Sequence, residues 1–358
     1  SLQWAREQRC PVLLHVRTVK GKGYSPAEER PADYHGVSPF DPVTGKPLRT
    51  AKMDFSHVFG QELTALAGED GRVCAITAAM QEGTGLTEFA RKYPDRLFDV
   101  GIAEGHAVSM AGGMAKQGLV PVFAVYSSFL QRGYDQLLQD VALDGLHVVL
   151  GVDRAGLVGA DGETHHGCFD ALYLSQVPHM TVLCPASFAE LRQMLRRAVL
   201  ELTGPVAVRY PRGGEGAYQD CCGNETFTQV RPGADCTILT YGVLINEALA
   251  AAELLHEAGV ETRVVKLNAI APLDGNAVLA ALGSEKRLLV LEDCVGSGCV
   301  SQRLTAILAQ RGRMPERLIL KNLGDTIPCH GTVPQLYAQC GLDAASVAAA
   351  LKEACHEQ

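Results

Sequence analysis

From residue 72 onward, short aliphatic and β-branched runs alternate with longer stretches whose apolar positions recur at helical spacing. VCAIT (73–77), LFDVGI (97–102), VPVFAVY (120–126), LHVVLGV (146–152), MTVLCP (180–185) and PVAVRY (205–210) read as strands. Between them, Glu104 to Gln117 closed by Gly118, and Phe188 to Leu202 closed near Gly204, read as helices. Runs that are apolar on both faces and joined by helical crossovers predict a parallel sheet covered on both sides, a doubly wound α/β domain over 51–215. A polar, Gly-rich stretch from Gly213 to Asp235 interrupts the rhythm, and 216–235 is expected to be a linker. The alternation resumes in CTILTYG, a helix through Glu247 to Leu255, ETRVVKL, KRLLVLED and RLILKNL, a second and smaller doubly wound domain over 236–358. The first fifty residues differ. They hold one strand-like run, VLLHVRTV (12–19), and a Pro/Gly-rich remainder with no partner strands, so 1–50 is expected to be the tail of an amino-terminal domain plus a linker.

Size and charge narrow the classes of function. A chain of 358 residues exceeds what one core usually serves. Its 47% hydrophobic and 20% charged content is that of a globular protein, and a net charge of -8 works against a nucleic-acid partner. Apolar stretches such as Leu146 to Val152 are strand-length, so no membrane segment is expected. The start SLQWAREQRC has no apolar signal core, which suggests a cytoplasmic location. The twelve cysteines form no CxxC pair and are scattered, with Cys74, Cys184 and Cys236 inside predicted buried strands. They read as reduced core residues, and the vicinal Cys221–Cys222 pair lies in the polar linker.

Ligands of parallel sheets bind beyond the carboxyl ends of the strands. Applied here, that rule selects Glu104 in GIAEGHA, Tyr126 to Arg132 in YSSFLQR, Asp153–Arg154 with the following loop GADGETHHG (159–167), and Arg209 to Arg212 in RYPRG. Carboxylates, imidazoles, aromatics and arginines in one place suit an anionic, phosphorylated substrate and proton transfer. Each has a plainer reading. Glu104 opens a helix, where a carboxylate gains about 0.3–1 kcal/mol from the macrodipole with or without a function. Phe129 and Tyr126 also suit core and strand-end positions, Arg154 and Arg212 also suit surface ion pairs, and His106 reads as structural. His165 and His166 are adjacent, so their rings diverge on an extended backbone and no metal site is expected in the loop.

These strings carry a resemblance. GIAEGHAVSMAGGMA, VYSSFLQRGYDQLLQDVA, DRAGLVGADGETHHGCFD and RYPRG, in this order, resemble the pyrimidine-binding domain of the 1-deoxy-D-xylulose-5-phosphate synthase family, thiamine-diphosphate enzymes of the transketolase superfamily. TVKGKGYSPAE with DYHGVSPFDP is similar to the end of that family's first domain and its linker, and NAIAPLD, VLED and CGLDAASV to its carboxyl-terminal domain. The resemblance implies that Glu104 hydrogen-bonds the cofactor's aminopyrimidine and that Phe129 stacks on it, with Tyr126, Lys20 and Arg132 also at the cofactor. It implies an acceptor site of Tyr126, Arg154, Asp161, His165 and Arg212, in which the arginines grip the phosphate of D-glyceraldehyde 3-phosphate. Glu104, His165 and His35 would be catalytic, with His35 at the pyruvate end. The implied reaction is decarboxylation of pyruvate on thiamine diphosphate and transfer of the two-carbon unit to the aldehyde, giving 1-deoxy-D-xylulose 5-phosphate, an isoprenoid and vitamin precursor. In this reading the glycines at 159, 162 and 167 let the loop approach a small substrate, and His166 is a bystander at a position where relatives often carry another polar residue.

The family also carries a GDG motif followed by Asn, which holds Mg²⁺ and the diphosphate. GEDGR (68–72) and LGDT (323–326) lack its context, so the Mg²⁺ ligands are expected in an amino-terminal domain outside this chain, and the isolated chain is expected to be poorly active. A homodimer is implied. A fragment, a subunit of a split enzyme and a degenerate binding or regulatory module each account for the missing motif. Other activities with the same two-domain plan are the beta subunit of a 2-oxoacid dehydrogenase and a separate transketolase carboxyl-terminal subunit.

Overall fold

The structure, a computed structural model, describes residues 1–31, 33–37, 39–48, 52–221, 223, 225–283 and 286–356. The chain divides into two compact units, Ser1–Lys52 and Met53–Gln358. Cys222 and residues 49–51, where the sequence puts the domain boundary at 50/51, lie outside the described residues.

The first unit carries short helices, Leu2–Glu7 and Ser25–Glu29. Tyr24, Tyr34 and Phe40 pack together with ring centroids 5.3–5.9 Å apart. Residues 11–19 form no strand, contrary to the reading of VLLHVRTV. A strand exists only where a neighbour takes up its N–H and C=O groups, and among the described residues of this unit the one strand-like pairing is the isolated bridge Phe40↔Pro47.

In the second unit, a seven-stranded sheet contains β1 (Val73–Thr77), β2 (Leu97–Asp99), β3 (Val120–Tyr126), β4 (Val149–Asp153), β5 (Thr181–Leu183) and β6 (Val206–Arg209). A five-stranded sheet contains β7 (Phe227–Arg231), β8 (Cys236–Tyr241), β9 (Thr262–Leu267), β11 (Arg287–Leu291) and β12 (Arg317–Lys321). The remaining strand, β10 (Ala269–Ala271), leaves the end of β9 and joins the first sheet antiparallel to β5. The orders are β10-β5-β6-β4-β3-β1-β2 and β12-β11-β8-β9-β7, parallel except at the edge strands β10 and β7. β1 and β4 are buried at every position, as expected of strands covered on both faces. The expected linker differs in its second half, which forms β7, a half-exposed edge strand.

Helices form where caps and apolar spacing agree. Phe188–Leu200 starts at Ser187, whose side chain accepts from the Glu190 N–H while Glu190 Oε2 accepts from the Ala186 N–H at 2.8 Å. Its face of Leu191, Met194, Leu195 and Ala198 is buried. Glu104–Lys116 lacks a side-chain cap and ends at Gln117, beyond which Gly118 turns the chain with φ +84°.

Two buried ion pairs brace the core: one lies within the first sheet domain and reaches toward the second, and the other joins the two sheet domains. Arg209 on β6 makes a bidentate contact with Asp170 at 2.9 and 3.1 Å and lies 4.0 Å from Asp293, just past β11. Lys266 on β9 is fully buried against Glu190 at 2.9 Å and also donates to Asn268 Oδ1 at 2.7 Å. No helix among the described residues is long and apolar enough to cross a membrane.

Candidate functional site

The parallel order of β2, β1, β3, β4 and β6 places the ends of these strands along one rim, and a continuous chain of contacts runs through the side chains there. Glu104, 3% exposed at the first turn of its helix, is paired with the Arg132 guanidinium. Arg132 lies 5.0 Å over the Phe129 ring, which stands 5.3 Å from the His165 ring and 5.5 Å from the Tyr126 ring. The Arg154 guanidinium stacks 3.8 Å from the Tyr126 centroid, its stem held at a left-handed φ of +62° just beyond β4. Arg154 and Arg212 converge on Asp161, the second at 3.4 Å. Glu104, Arg132, Phe129, Tyr126, His165, Arg154, Asp161 and Arg212 are thereby brought together. Lys20 and His35 belong to the first unit, where Lys20 Nζ lies 2.8 Å from His35 Nδ1. His106 is exposed, and Arg209, in the same string as Arg212, serves instead as a buried anchor between the sheets.

The glycines of the loop act differently from the expectation. A Cβ on Gly159 would come within 3.0 Å of the Gly331 carbonyl and 3.1 Å of the Val333 nitrogen. On Gly167 it would meet the Arg154 carbonyl at 2.3 Å and Ser127 Oγ at 2.6 Å. These two glycines let the loop close down on neighbouring protein backbone, while Gly162 takes a φ of +79° that suits glycine. His166 is no bystander: it is 3% exposed, accepts the Val158 N–H on Nδ1 at 3.2 Å, and has Nε2 3.1 Å from the Pro328 carbonyl.

Sequence reasoning also missed the state of Asp153. It is fully buried, accepts from Ser56 Oγ at 2.7 Å on one oxygen, and has no partner on the other. Burial pushes its carboxyl up to about 7, against the pull of Ser56 and Arg154. Only the Asp at a strand end, beside an Arg, was visible beforehand. The folded state therefore keeps a proton that the unfolded chain releases near pH 4, so this group's contribution is full below about pH 4 and is lost as the pH rises through about 7. Asp153→Asn, which retains the acceptor for Ser56, is expected to gain stability relative to the native protein as pH rises from 4 to 8. Urea midpoints of the pair across that range check it; a constant difference would refute it.

Burial also raises the Tyr126 hydroxyl's pKa, so that it stays a neutral donor at the rim.

Comparison with known proteins fits this geometry. Residues 51–214 match the transketolase pyrimidine-binding domain and residues 226–347 the transketolase C-terminal domain. The 1-deoxy-D-xylulose-5-phosphate synthase of Desulforudis audaxviator is 45% identical over 337 residues, 93% of this chain and 53% of the relative. That of Syntrophotalea carbinolica is 44% identical over 357 residues, 97% of this chain and 55% of the relative. The chain thus spans about half the length of the curated relatives it matches. Among solved structures, a split gene transketolase described as an inactive beta4 tetramer superimposes with a TM-score of 0.74 at 24% identity, covering 84% of this chain and 97% of that one. A mutant transketolase from Pichia stipitis gives 0.72 at 14% identity, over 86% of this chain and 46% of that one. These likenesses show the two-domain α/β fold.

Proposed function

Because the chain belongs to the transketolase family, we propose that it forms the pyrimidine-binding and carboxyl-terminal part of a 1-deoxy-D-xylulose-5-phosphate synthase. Its substrates would be pyruvate and D-glyceraldehyde 3-phosphate. The cofactor would be thiamine diphosphate, with Mg²⁺ held by a further amino-terminal domain, and the working form a cytoplasmic homodimer at the entry to isoprenoid synthesis. The observation that carries this reading is the unbroken series of contacts from Glu104 to Arg212, with an acid at one end, an aromatic platform in the middle and paired guanidiniums at the other.

The residues fit the aminopyrimidine half of that cofactor: a nearly buried carboxylate opens a helix beside a half-exposed aromatic face. When bound, thiamine diphosphate supplies the electron sink on which pyruvate loses CO2. Glu104, with one oxygen held by Arg132, keeps the other for a proton shared with a pyrimidine nitrogen. Phe129 lies 5.0 Å from the Arg132 guanidinium and would offer its half-exposed face to the pyrimidine ring. Arg154 and Arg212, held together by Asp161, form a fork for a phosphate dianion, which competes with the single carboxylate by offering more oxygens. His165, braced by Thr164 Oγ1 at 2.9 Å and edge-on to Phe129, is placed to exchange protons with the aldehyde oxygen. Lys20 and His35 would act at the cofactor and pyruvate end.

The test is to mix the chain with, or fuse it to, the amino-terminal domain of a curated relative. With thiamine diphosphate, Mg²⁺, pyruvate and D-glyceraldehyde 3-phosphate, CO2 and 1-deoxy-D-xylulose 5-phosphate are expected in equal amounts, with little turnover by the chain alone. Transfer to lipoamide, or use of a ketose donor with no product from pyruvate, would replace this reading by the dehydrogenase or transketolase one. The arginine fork favours the synthase over the dehydrogenase, since lipoamide has no phosphate to grip.

A further inference from the structure

His166 stands between two parts of the chain that sequence order separates by 162 residues. The loop that carries Asp161 and His165 is closed at its base by paired backbone bonds between Gly156 and Gly167, 2.8 Å each way. Inside that closure the imidazole adds a second tie, since the Val158 N–H donates to Nδ1. Accepting on Nδ1 puts the ring proton on Nε2, which donates to the Pro328 carbonyl of the second sheet domain. Burial lowers the ring's pKa and so favours this neutral form. Other contacts face the same segment: Gly159 abuts Gly331 and Val333, and a Cβ on Gly156 would fall 1.9 Å from Asp293 Oδ2. The loop is thus seated on the second domain through glycine backbone, with the His166 side chain as a polar strut.

We propose that His166 is a positioning residue for the acceptor site, a neutral strut that fixes the backbone beside His165 and ties the loop carrying Asp161 and His165 to the Pro328 carbonyl. The kinetic consequence rests on the proposed function; the mechanical one does not. A strut that sets the loop acts on the phosphorylated acceptor, which meets Asp161, His165 and the arginines, and leaves pyruvate use largely untouched. Glutamine at this position retains a donor toward Pro328, whereas alanine removes both bonds.

The mechanical arm uses this chain without cofactor or substrate. In His166→Ala, hydrogen–deuterium exchange over residues 157–166 is expected to speed up by tenfold or more, with β1 and β4 as protected as in the native protein, and His166→Gln is expected to restore most of the protection. The kinetic arm uses the enzyme completed with the relative's amino-terminal domain. There His166→Ala is expected to raise KM for D-glyceraldehyde 3-phosphate about tenfold, with KM for pyruvate within twofold and kcat within threefold. Unchanged exchange in His166→Ala, or a glutamine variant no better than alanine in both arms, would overturn the proposal. A uniform loss across pyruvate, aldehyde and melting temperature would also overturn it, by marking a general packing role. If the native completed enzyme makes no product, the synthase reading fails while the exchange arm still decides the strut.

Discussion

Glu104→Gln is expected to lower kcat of the completed enzyme by a hundredfold or more, within the 10²–10⁴ range typical of a positioned proton-transfer group, with little change in either KM. The change keeps the shape of the side chain and a neutral contact for Arg132. What it removes is the carboxylate proposed to share a proton with the cofactor ring. The competing role, a negative charge at a helix N-terminus, has a magnitude that separates the two. It would contribute about 0.3–1 kcal/mol to stability, and its loss would leave catalysis intact. Burial weighs on the catalytic side, because a carboxylate present only for the macrodipole has no reason to be 3% exposed and paired with a guanidinium that lies over an aromatic ring. Turnover under saturating substrates, read beside the melting temperature, decides. Full activity in the glutamine variant would leave Glu104 with a structural role only and remove the proposed cofactor site.

Much of this site was legible because its members sit where parallel topology exposes them. Tyr126 ends β3, Arg154 follows β4 and Arg212 follows β6, so once the apolar runs are recognised as strands the rim follows. Where strand recognition failed, tertiary pairing decided. Residues 11–19 have the composition of a strand but no neighbour. Phe227–Arg231 has a neighbour in β9 but only a half-buried pattern, and Ala269–Ala271 is three residues long. The loop glycines illustrate a further limit: composition says that backbone comes close to something there, and only coordinates say whether that is substrate or protein. His166 and Asp153 were hidden for the same reason. The partners that bury them, Pro328 and Ser56, are remote in sequence.

The buried ion pairs were equally invisible, and the one between Arg209 and Asp170 leads to the largest expected change in stability. Asp170→Ala is expected to destabilise the protein by about 3–5 kcal/mol, the usual cost of leaving one partner of a buried pair uncompensated. Arg209 is 4% exposed, fully charged, and held in a fork by both Asp170 oxygens. Its remaining acidic neighbour, Asp293 at 4.0 Å, is itself buried, and that burial pushes its carboxyl pKa up, so it is a poor substitute counter-charge. The Tyr241 ring, 5.3 Å from the guanidinium, offers only a weak further contact. Lys266→Met should be milder, because Glu190 would keep the Ala186 N–H and the Tyr218 hydroxyl as donors. Urea unfolding at pH 7 compares the two. The lone charge is identified as the cause by Asp170→Ala combined with Arg209→Met, which should recover a large part of the loss, since replacing a whole buried pair by apolar groups is often neutral. If the double variant were no more stable than the single one, the cost would lie in lost packing around Asp170 rather than in the lone charge.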